Sequence, residues 1–144
     1  MTLRPDIEKT IGFALHHSSY LFKTGMKNIF LKNGLDITPE EMIILFLIKE
    51  EGSDQGTLVT KSLKDKTNIT RLLTRMETKS LIIRQTHTEN NRQQIVFLTT
   101  KGEEVRTTAL PLMQQMIKRT TQGISVEDME TTRTTLNKIS QNIK

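Results

Sequence analysis

The chain contains no cysteine. Disulfides, thiolate metal sites and cysteine-based redox switching are therefore excluded. Its three histidines, without a thiol beside them, are too few to converge into a zinc site of several ligands. There is no glycine-rich phosphate loop, no nucleophile motif and no His/Asp/Ser set at a recognisable spacing, and His87 stands alone. The expectation is a chain that is not an enzyme and carries no cofactor and no metal. Long hydrophobic runs are missing as well. The longest, Met42–Ile48, falls far short of the roughly 20 residues needed to span a bilayer. Arg4, Asp6, Glu8 and Lys9 are followed by no long apolar block, which reads against a secretory leader. The expected setting is the cytoplasm, with no membrane partner.

What is present is charge, unevenly placed. The 144 residues carry a net charge of +5. Residues 57–101 hold Lys61, Lys64, Lys66, Arg71, Arg75, Lys79, Arg84, Arg92 and Lys101 against Asp65, Glu77 and Glu89, a local net of +6. The rest of the chain therefore sums to −1. A confined basic patch is the electrostatic footprint expected for a polyanion. The 35% apolar fraction is low for a compact monomer, so some apolar faces are expected to meet a second copy.

Periodicity places the elements. Ile7, Ile11, Leu15, Phe22, Met26 and Ile29 recur at helical steps and predict one long helix over 6–32. Asn33-Gly34 ends it, the glycine being suited to a left-handed terminal position. Thr38-Pro39-Glu40-Glu41 has the form of a capping box with proline at the first helical position. The helix it opens, about 39–51, is apolar nearly all round and should be buried on most sides. Ser53–Gly56 reads as a turn-rich break, and a short helix follows at about 57–64. The next helix, about 67–79, has the stripe Ile69, Leu72, Leu73 and Met76, spaced i, i+3, i+4, i+7. Two strands are predicted at about 81–88 and 92–98, with Glu89–Asn91 at the tip between them. A helix over about 102–121 contains Pro111, which should kink or split it. Ser125-Val126-Glu127-Asp128 resembles another capping box, and an amphipathic, Thr-rich helix over about 126–143 completes the chain.

Two short helices joined by a tight turn form a helix-turn-helix candidate, and the strand pair behind them forms a small β-hairpin wing. The segments "LDITPEEMIILFLI", "TNITRLLTRMETKSLIIR" and "NNRQQIVFLTTKG" carry the resemblance further. From Leu35 to Gly102 the sequence resembles the MarR family of bacterial transcription regulators (multiple-antibiotic-resistance regulator type). The matching features are a threonine-arginine-leucine in the recognition helix, a leucine-isoleucine-x-arginine entry to the wing, and a leucine-threonine-x-x-glycine exit from it. Ser80 stands where the family usually has glycine, Asn90 where aspartate is usual, and Asn91 where a second arginine is frequent. The resemblance implies a mainly α fold with a small β-hairpin wing. Its winged helix-turn-helix would be flanked by N- and C-terminal dimerisation helices. The chain would be a single domain over 1–144, with a DNA-binding lobe at 35–102 and dimerisation helices at 1–34 and 103–144.

The stripe that faces the core leaves Thr67, Asn68, Thr70, Arg71, Thr74 and Arg75 on the other side of the recognition helix. Arginine can bond guanine bidentately, asparagine can bond adenine, and a threonine methyl can meet that of thymine. Residues near the start of such a helix reach bases most often, so Thr67, Asn68, Thr70 and Arg71 are expected base readers. Arg75 is expected at a phosphate. Arg92, with Asn91 beside it, is expected to enter the minor groove, where negative potential draws arginine. Arg84 and Lys61 are phosphate candidates; Lys64, Lys66 and Lys79 are weaker ones. Phosphate contacts set register without reading sequence.

The family resemblance implies a homodimer, whose two recognition helices must lie about 34 Å apart or a multiple of that, and therefore a pseudo-palindromic double-stranded DNA operator. It also implies a repressor relieved by a small aromatic or lipophilic effector, held near His16, His17, Tyr20, Met42 and Phe46. Adjacent His16 and His17 point to different faces of a helix, and a solvated or satisfied histidine pair remains an alternative reading of them. Two other functional classes stay open: a nonspecific DNA-organising protein, and a winged-helix module that binds another protein.

Overall fold

In the computed structural model, residues 6–62, 65–86 and 93–144 are described. The expectations for Asn91 and Arg92, together with Lys64, His87, Glu89 and Asn90, lie outside those residues.

The N-terminal segment is not one helix. A single 3-10 turn spans Ile7–Lys9, and helix α1 runs Ile11–Lys32. Thr10 separates them with an extended backbone (φ −83°, ψ 150°). Its hydroxyl accepts from the Phe13 N–H at 3.2 Å and donates to the Ile7 carbonyl at 2.7 Å. A threonine that caps in this way competes with continuous helix. At the far end Gly34 adopts φ +74°. The Gly34 N–H reaches the Leu31 carbonyl and the Leu35 N–H reaches the Phe30 carbonyl, which is a Schellman termination.

Helix α2 covers Pro39–Leu47. The capping box forms in both directions: the Glu41 N–H donates to Thr38 Oγ1 and the Thr38 N–H donates to Glu41 Oε1, each at 3.1 Å. The helix stops earlier than position 51 because Ile48 is extended, and the Lys49 N–H turns to the Ser53 hydroxyl at 2.9 Å. Met42, Ile44 and Leu45 are buried, yet Ile43 is 46% exposed, so one face of this apolar helix is open.

The expected break at Ser53 contains a short strand, β1 (Ser53–Asp54), followed by helix α3 (Gln55–Ser62). Helix α4 (Lys66–Thr78) then leads to β2 (Ile82–Thr86) and β3 (Gln94–Leu98). The sheet is antiparallel in the order β1-β3-β2, with Ser53 opposite Val96 and Arg84 opposite Val96 on the other side. A two-stranded hairpin alone is marginal in water; β1 supplies the third strand at its base.

Helix α5 (Thr100–Thr120) is not split at Pro111, which lies inside it. Its first turn packs tightly. The Gly102 N–H donates to Thr99 Oγ1 at 3.0 Å, and Thr99 Oγ1 donates to the Ser80 carbonyl at 2.6 Å. A Cβ on Gly102 would lie 2.1 Å from the Leu81 carbonyl oxygen, so glycine is required by close approach. The leucine-threonine-x-x-glycine motif (Leu98, Thr99, Gly102) is thus the joint between sheet and helix.

The chain divides into two compact units, Met1–Leu112 and Met113–Lys144. The core of the first includes Met26, Phe30, Ile44, Leu45, Leu58, Ile69, Leu73, Met76, Leu81 and Val96. The second contains the end of α5, a turn through Gly123, and helix α6 (Val126–Ile143), capped by Ser125 through a hydrogen bond from the Asp128 N–H. Arg133 pairs with Glu130 on its surface, which lowers the Glu130 pKa through the hydrogen bond. No residue of α6 is buried.

Candidate nucleic-acid interface

Helix α4 has the two-faced construction that groove reading needs. Ile69, Leu73 and Met76 are fully buried and Leu72 nearly so. Thr67, Asn68, Thr70, Arg71, Thr74 and Arg75, together with Lys61 on α3, are exposed. The helix starts sharply because Asp65 caps it: Oδ1 accepts from the Asn68 N–H and Oδ2 accepts from Asn68 Nδ2, both at 2.8 Å. The Asn68 amide is therefore held at the helix entrance.

The threonines are also constrained. Thr70 Oγ1 donates to the Lys66 carbonyl, Thr74 Oγ1 to that of Thr70, and Thr78 Oγ1 to that of Thr74, at 2.8, 2.9 and 3.0 Å. A hydroxyl whose hydrogen is given to its own helix can accept but not donate to a ligand. Gln55 Nε2 donates to Thr70 Oγ1 at 3.3 Å, tying the start of α3 to α4. Arg71 and Arg75 share a groove of about 200 Å³ with Glu40, Asn68 and Leu72.

Glu41 was legible as a helix cap but not as what else it is. Its side chain is wholly buried, and Oε1 accepts from Lys79 Nζ at 2.9 Å. Arg75 Nε stands 3.8 Å from the same oxygen, on a side chain that is half exposed. Lys79 Nζ also donates to the Asp36 carbonyl at 2.9 Å. Glu41 Oε2 has no hydrogen-bond partner among the described residues. One buried carboxylate thus links the start of α2 to the second half of α4. Lys79, a weaker phosphate candidate, is committed to this link.

Arg84, a phosphate candidate by sequence, is engaged within the fold. Its Nε and Nη2 grip both oxygens of Glu77, at 2.8 and 3.1 Å, and Nη2 also donates to Thr74 Oγ1 at 3.1 Å. The hydrogen bond lowers the Glu77 pKa and raises that of Arg84, against a smaller opposing effect of burial on each. The remote residue Glu77 had no sequence signal beyond its position seven before Arg84.

The proposed effector residues fall in two environments. Met42 is buried and Phe46 half-buried on α2, whereas His16, His17 and Tyr20 are exposed on α1. The Phe13 and His17 rings lie 5.8 Å apart, tilted by 47°. Among the described residues no acidic or histidine cluster could hold a metal ion, and no helix is long and apolar enough to cross a membrane.

Comparison with known proteins supplies the context. Residues 37–93 match the MarR family model. The transcriptional regulator HosA of Escherichia coli is 26% identical over 96 residues, which is 66% of this chain and 71% of HosA. The structure of Staphylococcus aureus MepR in complex with DNA superposes with a TM-score of 0.83 at 20% identity, covering 92% of this chain and 98% of that one. CouR from Rhodococcus jostii bound to p-coumaroyl-CoA gives 0.80 at 20% identity, covering 94% and 95%. The mostly helical fold with its winged helix is thereby the one these solved structures share. Family model, curated relative and fold point the same way: residues 37–93 match the MarR family model, and the chain is similar to transcriptional regulators and shares the fold of these solved structures.

Proposed function

We propose that this chain is a transcriptional regulator, a homodimeric repressor that reads a pseudo-palindromic DNA operator through the exposed face of α4. The observation that carries the reading is the division of that helix. A fully packed stripe anchors it, and six polar or cationic side chains stand exposed on it. Thr67, Asn68, Thr70 and Arg71 read bases; Thr74 lies farther along the same face. Lys61 and Arg75 meet phosphates, and Arg92, with Asn91, serves the minor groove. MepR was solved on DNA in the same fold, which supports this reading.

The dimer is supported by apolar side chains left in the open. On α1 these include Ile11, Tyr20, Leu21 and Leu31, each more than half exposed. On α6, Val126 is 87% and Ile143 80% exposed. Large apolar surfaces of this kind mark association sites. The dimerisation helices are 1–34 and 103–144, and the DNA-binding lobe is 35–102. Relief by a small aromatic or lipophilic effector near His16, His17, Tyr20, Met42 and Phe46 is part of the proposal, supported by the ligand in CouR.

A mobility-shift titration against the duplex upstream of the protein's own gene tests the reading. The native protein should prefer it to a scrambled duplex of equal length. Arg71→Ala should lose that preference by ~1–3 kcal/mol, the scale of one bidentate base contact, while remaining dimeric. Equal binding to both duplexes would favour a nonspecific DNA-organising protein. No binding to either would favour a protein-binding module.

A further inference from the structure

Arg84 lies at the middle rung of β2, opposite the buried Val96 of β3. Three hydrogen bonds run from its Nε and Nη2 to two residues of α4, Glu77 and Thr74. The Arg84 side chain is only 17% exposed, compared with 51% for Arg75. A planar guanidinium gripping both oxygens of a carboxylate has its orientation set by that partner. To neutralise a phosphate with the same nitrogens, it would have to release Glu77. While the grip holds, the two charges cancel locally.

The geometry has a second consequence, at Thr74. That hydroxyl gives its hydrogen to the Thr70 carbonyl and takes a hydrogen from Arg84. Its rotamer is therefore fixed from both sides, on the exposed face of the helix. One side chain of the hairpin thus sets both the seat of the hairpin on α4 and the state of a hydroxyl on the reading face.

We propose that Arg84 is a positioning residue for DNA reading: it struts the hairpin against the recognition helix through Glu77 and Thr74, and it does not neutralise a phosphate. The assignment rests on the regulator reading and sharpens it. It makes Arg84 a determinant of specificity, where a phosphate contact would add affinity to every sequence alike.

The test titrates the upstream duplex and a scrambled duplex of equal length across a salt series. The full-length native protein is compared with Arg84→Met, Arg84→Lys, Glu77→Gln and the double variant Arg84→Met/Glu77→Gln. As a strut, Arg84→Met and Glu77→Gln should each lose about tenfold of the preference between duplexes, with a double variant no worse than the poorer single one. The salt slope should stay at the native value. Arg84→Lys should behave like Arg84→Met, because it keeps the charge but not the fork. The assignment is overturned if Arg84→Met weakens both duplexes alike and flattens the slope by about 0.9 per protomer. It is equally overturned if Arg84→Lys restores binding, or if Glu77→Gln tightens it by freeing a cation. A native protein that binds neither duplex would instead overturn the regulator reading itself, and the role of Arg84 in DNA reading with it.

Discussion

Two helix ends in this chain are built alike from different residues. At the end of α1, the Gly34 N–H donates to the Leu31 carbonyl at 3.2 Å and the Leu35 N–H to the Phe30 carbonyl at 2.9 Å. At the end of α4, the Ser80 N–H donates to the Glu77 carbonyl at 2.8 Å and the Leu81 N–H to the Met76 carbonyl at 3.0 Å. Both pivots are left-handed, with φ +74° at Gly34 and +62° at Ser80. A side chain in that region costs about 1–2 kcal/mol. Glycine avoids the strain but gives back about 0.5–1 kcal/mol through its larger unfolded-state entropy. Ser80→Gly should therefore stabilise the fold by about 0.5–1 kcal/mol, while Ser80→Ala, which keeps the Cβ, should change little. The Ser80 carbonyl bond from Thr99 survives the change. Gly34→Ser should cost a similar amount, since a Cβ there meets nothing within 4 Å and adds strain alone. For a chain of this length the thermal midpoint should move by roughly 2 °C in opposite directions. Circular dichroism melts at equal protomer concentration provide the assay, because association shifts the midpoint. If Ser80→Gly fails to raise the midpoint, or Gly34→Ser costs nothing, the strain argument is refuted.

Three further outcomes follow from the same geometry. Gly102→Ala should destabilise by ~1–3 kcal/mol, because its Cβ meets backbone that cannot swing aside; urea unfolding checks this, and an unchanged midpoint would contradict the tight joint. The Glu77–Arg84 pair should confer acid sensitivity. The folded-state pKa of Glu77 is lowered from its ordinary 4.5, so its contribution is complete above that value and is lost as pH falls below it. Glu77 is about one-third exposed, which limits the effect to about 1 kcal/mol or less. Urea midpoints of the native protein and Glu77→Gln should converge between neutral pH and pH 3; parallel curves would count against the pair. Finally, Ile143→Asp should weaken self-association about tenfold or more while helicity is retained, as read by sedimentation equilibrium; unchanged association would exclude that end of α6 from the dimer.

Much of the fold was legible because local signals and burial agreed. The α4 stripe, the α2 capping box and the Gly34 terminus each specify a local geometry that packing then reinforces. The limits of α6 match as well, since Ser125 caps it. What failed to show in the sequence depended on distant partners. Thr10 is the local exception: helical by periodicity, it caps through its hydroxyl onto the Phe13 N–H three residues on. The strand at Ser53 and Asp54 exists through pairing with Val96 and Ile95, some forty residues on. In the candidate interface, the exposed side of α4 followed directly from its buried side. The engagement of Arg84 and Lys79 did not, because charge counting treats every cation as available. Their partners, Glu77 and Glu41, are revealed only when α4 is laid beside β2 and α2.

The central claim, a paired cationic surface that grips duplex DNA, is met most directly by measuring affinity for the upstream duplex as a function of salt. With three cations engaged on each protomer of a dimer, the logarithm of the binding constant should fall against the logarithm of salt with a slope of about −5. A flat response, or a chain that stays single-copy and ignores duplex DNA even in dilute buffer, would contradict it.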